Sequence, residues 1–226
     1  MTPERIRARL KPLDDVLASV DPAEAPLRSD FDLRPDGTRG RGVTTRRLKP
    51  AAVLVPIVNR PAGPTVLLTR RTEHLKKHAG QISFPGGGVE EQDPHHVATA
   101  LRETEEEIGL NPRHVTLLGR LSMYETSTAY GVTPIVGWVE PPFELIVDDF
   151  EVAEVFETPL AFILDRRNHK KETAVRDGVR RSFYVMPYEG RRIWGATAGM
   201  LVNLADMLDG ALDRDLAPDL ESGAGD

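Results

Sequence analysis

Three carboxylates constrain this chain more than any other feature of its sequence. Glu103, Glu106 and Glu107 stand at i, i+3 and i+4, so a helix over residues 94–108 gathers them on one side. Like charges placed together destabilise a bare helix, and such a face asks for something positive. Hard oxygen donors from acidic side chains suit Mg²⁺ or Mn²⁺. Glu105, two residues from Glu103, points elsewhere and is solvated. The ends of this helix are marked: Asp93 is placed to cap it, Pro94 suits its first position and Gly109 stops it. Val97, Leu101, Thr104 and Ile108 recur at helical spacing and give a packing stripe on the side away from Glu103 and Glu107.

Directly upstream lie Gly86, Gly87 and Gly88. Glycines let backbone approach a ligand or metal closely, and a carbonyl freed at that turn joins the carboxylates as a ligand. Before them Arg70, Arg71, Lys76, Lys77 and His78 form a cationic cluster in a chain whose net charge is −6. Elsewhere such a cluster reads as a solvated loop face; next to an acid-bearing helix it reads as a holder of substrate phosphates. The acidic balance disfavours generic nucleic-acid binding.

The segment RETEEEIGL, residues 102–110, resembles the core of the Nudix box, whose general form is GxxxxxE, seven residues, then REUxEExGU with U aliphatic. Thr104 stands where the pattern has an aliphatic residue. Taking Gly87 as the box glycine puts Asp93 at the acidic position, with one extra residue before Arg102. The resemblance implies an α/β fold, the Nudix α/β/α sandwich with a mixed β-sheet. It implies that Glu103, Glu106 and Glu107 bind Mg²⁺ or Mn²⁺ with the Gly86 carbonyl, and that Arg102 orients the carboxylates. A late-loop glutamate often assists such a site, which makes Glu151 and Glu154 candidates beside Glu106 and Glu107 for taking the proton from water.

The upstream stretch LLTRRTEHLKKHAGQISFPGG, residues 67–87, resembles the extended signature of the coenzyme A diphosphatase branch, LLTxR(S/A)xxxRxxxGxxxFPGG. Thr72 replaces the small Ser or Ala, and Lys76 replaces an Arg, keeping the charge without the forked geometry. IWGATAGML at 193–201 and VTPIVG at 132–137 are similar to the same branch. The resemblance implies hydrolysis of coenzyme A or acyl-CoA to 3′,5′-ADP and 4′-phosphopantetheine products, with Gly87 and Gly88 beside the cations at the substrate. The rivals are a dinucleotide or nucleotide-sugar substrate, and a ligand-binding module without turnover.

With 226 residues and no cysteine, we expect one domain with extensions, no disulfides and no thiolate site. Residues 1–48 read as an amphipathic helix followed by an irregular arm, 49–212 as the catalytic domain, and 213–226 as a flexible acidic tail. The N-terminus has no signal-like apolar core and no later run is long enough to span a bilayer. The expectation is a cytoplasmic protein that binds neither membrane nor nucleic acid. Strands are expected over 51–58, 65–70, 115–121 and 132–139, the last interrupted by Pro134. The polar loop 123–131 suits either substrate contact or a plain hairpin. A short helix begins at 160–164, strands 172–176 and 181–187 flank the turn pair Asp177-Gly178, and a helix closes the domain over 196–212. His169 is expected in solvent. Trp194 and the N-terminal helix fit a homodimer surface or ordinary core.

Overall fold

The computed structural model describes residues 1–18, 28–29, 33, 48–75, 78–176 and 179–209. Its elements run, in order, α1 (Pro3–Arg7), α2 (Asp14–Ala18), β1 (Arg28–Ser29), β2 (Lys49–Val58), β3 (Thr65–Arg71), β4 (Ile82–Ser83) and β5 (Gly86–Gly88). The second half continues with α3 (His96–Ile108), β6 (Val115–Arg120), β7 (Tyr124–Glu125), β8 (Tyr130–Val139), β9 (Val152–Pro159) and α4 (Leu160–Leu164). It ends with β10 (Lys170–Arg176), β11 (Val179–Tyr188), β12 (Arg191–Trp194) and α5 (Gly195–Leu208).

The described strands form a mixed nine-stranded sheet along β1-β7-β8-β2-β3-β4, with β5 joined to β2, β6 to β8 and β9 to β3. Its spine is the parallel pair β2–β8, in register from Lys49↔Tyr130 to Val58↔Val139. Burial on both faces accounts for the near-continuous apolar runs of these two strands. Pro134 does not interrupt β8. Its carbonyl accepts the Leu121 N–H, and its ring falls between the segment paired to β6, residues 135–139, and the segment paired to β7, residues 131–132. The missing N–H thus points at the gap between two partner strands, where no bond is needed.

One face of the sheet packs on α3 through Ala52, Leu54, Val58, Leu67, Val97, Ala100, Ile108, Ile135 and Val139. The other packs on α4 and α5 through Val55, Ile57, Leu68, Phe84, Leu160, Leu201 and Leu204. Each such side chain removed from water contributes about 1.5–3 kcal/mol, and the layering is the Nudix α/β/α sandwich. A second, antiparallel sheet of β10, β11 and β12 lies beside α5. No helix among the described residues is long and apolar enough to cross a membrane.

Several local expectations change. The N-terminal segment is two short helices joined at a bridge between Lys11 and Arg120, because Pro12 breaks the helical run. Residues 123–125 are buried and the last two form β7, so the polar loop shrinks to the turn that Thr126 and Tyr130 close. His169 is half-buried, with Nε2 2.7 Å from the Ile163 carbonyl. Burial lowers its pKa. Trp194 is 37 % exposed, its ring tilted against Phe183 at 5.5 Å between centroids with the Arg192 guanidinium over it. The turn pair Asp177-Gly178, most of the arm and the acidic tail lie outside the described residues.

Candidate active site

Helix α3 presents its three carboxylates at three depths. Glu107 is buried at 6 % exposure, Glu103 is half-buried, and the Glu106 side chain is 60 % exposed. The buried stripe is Val97, Ala100, Thr104 and Ile108, with the expected Leu101 only partly buried beside it, and it runs close enough to Glu107 to take it under cover. The helix begins later than its spacing suggested. His95 is the N-cap, its Nδ1 accepting the Ala98 N–H at 3.0 Å, and Gly109, at φ +67°, ends it.

The glycines form a strand, not a loop. β5 pairs with residues 51–53 of β2, and the Gly86 N–H donates to Glu107 Oε2 at 3.2 Å. A β-carbon on Gly87 would lie 2.4 Å from Glu103 Cδ, whereas one on Gly88 would meet nothing within 4 Å. Gly87 therefore makes room for Glu103, and Gly88 borders open space. Burial pushes the Glu107 carboxyl up to about 8, against the pull of the Gly86 N–H and Arg71. Burial also raises Glu103.

Two arginines divide the acidic groups. Arg102 holds Asp93 with a fork, Nε to Oδ1 at 3.0 Å and Nη2 to Oδ2 at 2.9 Å. It also reaches Glu106 Oε2 at 2.9 Å and Glu103 Oε1 at 3.0 Å. Asp93 does not cap α3. It accepts from the Glu90 N–H at 3.0 Å and from Thr99 Oγ1 at 2.9 Å, and the Arg102 fork holds its carboxyl at about 2. The aspartate thus meets the arginine despite the extra residue before Arg102. Sequence alone offered the signal, an acid six residues after Gly87, but not the partner.

Arg71, at the end of β3, spans Glu107 Oε1 at 3.4 Å and Glu151 Oε2 at 3.2 Å. Glu151 thus joins the α3 carboxylates. Glu154 does not: it sits opposite Arg70 in the β3–β9 register, with Arg70 Nε at 3.0 Å and Arg191 Nε at 3.1 Å. Arg191 chiefly lowers its pKa. Of the remaining cations, His78 bonds Gln81 Oε1 at 2.8 Å through Nδ1, and Lys76 and Lys77 lie outside the described residues.

Among the described residues no three acidic or histidine side chains are already arranged to hold a metal ion. The donor chemistry nevertheless fits a hard divalent cation. Glu103 and Glu107 are carboxylates lifted by burial, so both gain when a cation replaces lost solvation. Arg71 and Arg102 supply part of that neutralisation in the structure as it stands.

Desolvated carboxylates behind a glycine strand, with an arginine fork at their edge, equip a hydrolase of pyrophosphate bonds. The NUDIX domain matches residues 48–174. The uncharacterized Nudix hydrolase NudL of Yersinia pestis (strain Pestoides F) is 44 % identical over 165 residues, 73 % of this chain and 81 % of that protein. The chain belongs to the Nudix family, hydrolases of nucleoside diphosphate derivatives that work with divalent cations. Among solved structures, it resembles the NUDIX domain of Shewanella oneidensis NrtR complexed with ADP ribose (TM-score 0.44, 18 % identity, 72 % of this chain and 86 % of that one). It also resembles the MutT protein of Methanosarcina mazei (TM-score 0.43, 18 % identity, 74 % and 96 % covered).

Proposed function

We propose that this chain hydrolyses the diphosphate of coenzyme A or acyl-CoA, releasing 3′,5′-ADP and the 4′-phosphopantetheine product. The observation that carries the reading is the station of Glu107, between the Gly86 N–H and the Arg71 guanidinium. Both partners belong to residues 67–87, the stretch that resembles the coenzyme A diphosphatase signature. Arg70, Arg71, Lys76, Lys77 and His78, with Gly87 and Gly88, are assigned to the substrate side.

Glu103, Glu106 and Glu107 with the Gly86 carbonyl would hold Mg²⁺ or Mn²⁺. A cation bound there supplies charge neutralisation at the phosphoryl oxygens and acidifies water. Arg71 binds the phosphates as it leaves its long contacts to Glu107 and Glu151. Arg102, locked to Asp93, holds Glu103 and Glu106 in place. Glu151 is assigned the water's proton, since it stands within reach of Arg71 and is 41 % exposed at its side chain. Glu106 and Glu107 are assigned to the metal instead, and Glu154 is occupied by Arg70 and Arg191. Water adds to phosphorus, the anhydride P–O bond breaks, and the leaving phosphate carries the electron pair away.

Mass spectrometry tests the reading on purified protein with Mg²⁺ or Mn²⁺ in ¹⁸O-labelled water. The substrates are coenzyme A, dephospho-coenzyme A, NADH and ADP-ribose. The expected result is labelled 3′,5′-ADP or phosphopantetheine and a preference for the 3′-phosphate. Turnover of the others without coenzyme A overturns the substrate, and cleavage of none overturns catalysis.

A further inference from the structure

Residues 146–151 form a strap whose backbone is fastened at almost every step. The Ile146 N–H donates to the Ile108 carbonyl at 2.9 Å and the Asp148 N–H to the Glu107 carbonyl at 3.0 Å. The Phe150 N–H donates to Asp148 Oδ1 at 3.0 Å, and the Phe150 carbonyl accepts from Thr72 Oγ1 at 2.8 Å. The Glu151 carbonyl accepts the Thr72 N–H at 3.0 Å. Yet the Phe150 ring is 63 % exposed. Among the described residues its aromatic contact is His74, at 4.7 Å between centroids and tilted by 58°. Single exposed apolar side chains are ordinary, but this one stands on backbone held at both its N–H and its carbonyl and directly precedes Glu151, whose carboxylate meets Arg71.

We infer that Phe150, backed by His74, is a stacking platform for an amino-bearing nucleobase of the adenine type on the diphosphate substrate. The inference rests on the proposed hydrolysis of a nucleoside diphosphate derivative at Arg71, Glu107 and Glu151. An open ring on a rigid strap suits a planar partner, because one ring face can be covered fully without an enclosing wall. A flexible acyl chain needs a concave apolar pocket, which an exposed ring face does not by itself provide, although Ile146 and Val147 on the same strap are exposed too. Asp149 and Glu151 flank the ring in sequence, and carboxylates favour a base edge carrying an amino donor. Phe150 is tied to the Arg71 end of the site through the Thr72 bond to its carbonyl and through Glu151, which pairs with Arg71.

The test compares parent, Phe150→Ala, Phe150→Leu and Phe150→Trp. It reads KM and kcat on the cleaved substrate, and competitive inhibition by ADP and by inorganic diphosphate. Phe150→Ala is expected to raise KM and weaken ADP about tenfold, leaving kcat, thermal midpoint and inhibition by inorganic diphosphate unchanged. Phe150→Trp retains ADP inhibition and Phe150→Leu loses most of it. Equal ADP inhibition in parent and Phe150→Ala overturns the platform while leaving hydrolysis standing. Full retention by Phe150→Leu overturns stacking in favour of plain apolar contact. A KM increase confined to acyl-CoA, absent with coenzyme A, reassigns the ring to the acyl end. A parent that cleaves no nucleoside diphosphate derivative removes the proposed function itself.

Discussion

Arg102 and Arg71 both stand among carboxylates, and they are bound in opposite ways. Arg102 forks onto Asp93 at 2.9–3.0 Å, and that aspartate sits at about 2. Arg71 spans 3.4 and 3.2 Å to its two partners, and Glu107 beside it is pushed up to about 8. A depressed carboxyl is already satisfied by its partner; a raised one has lost water without full compensation. The first arrangement is scaffold. The second leaves charge available for a ligand.

The sharpest way to break this contrast is Glu107→Gln. We expect turnover to fall on the order of 10³-fold with circular dichroism unchanged, since both a desolvated donor and its charge disappear. The metal-free protein should move the other way. A carboxyl whose folded pKa is raised stabilises the fold below about 4.5 and loses that contribution as pH climbs through about 8. Glutamine does not ionise, so metal-free Glu107→Gln should melt above the parent at pH 9 and match it at pH 4. A folded variant with undiminished turnover would remove Glu107 from the working site.

Glu151→Gln comes next, with kcat lowered on the order of 10²-fold. Its companion Glu154→Gln should change kcat by less than about twofold, because its ion pairs to Arg70 and Arg191 are partly exposed and contribute little. Steady-state kinetics on the pair decides between them, and a reversed order would return the proton-accepting role to Glu154. A smaller loss of rate than at Glu151, about tenfold, belongs to Asp93→Asn, which loosens Arg102. Its larger signature is stability: about 2 kcal/mol lost at pH 7. A lowered carboxyl contributes above its unfolded value, so the gap to the parent should close as pH falls from about 4 to about 2. Urea unfolding across that range checks it, and a gap that persists at pH 2 would show that packing, not the ion pair, was lost.

Much of this was legible beforehand because it is local. The carboxylate spacing, the apolar runs of β2 and β8 and the left-handed stop at Gly109 all depend on neighbours in sequence. What escaped depends on partners far along the chain. Nothing near Asp93 announces that it binds Arg102 instead of capping a helix, and His95 reads as an unremarkable residue until its ring is seen bonding Ala98. The glycines look like a turn because the edge of β2 that pairs with them is about 35 residues away. Glu151 and Glu154 were equivalent in sequence; strand register alone separates them, opposing Glu154 to Arg70 and leaving Glu151 just before the strand.

The bond from the Asp148 N–H to the Glu107 carbonyl ties the strap to the last turn of α3. Glu151 lies three residues along that strap, fixed again by Thr72, so the two carboxylates flanking Arg71 hang from one braced frame. A push on the strap is shared by both. Their spacing is a mechanical property of the backbone, held like the jaws of a fixed gauge.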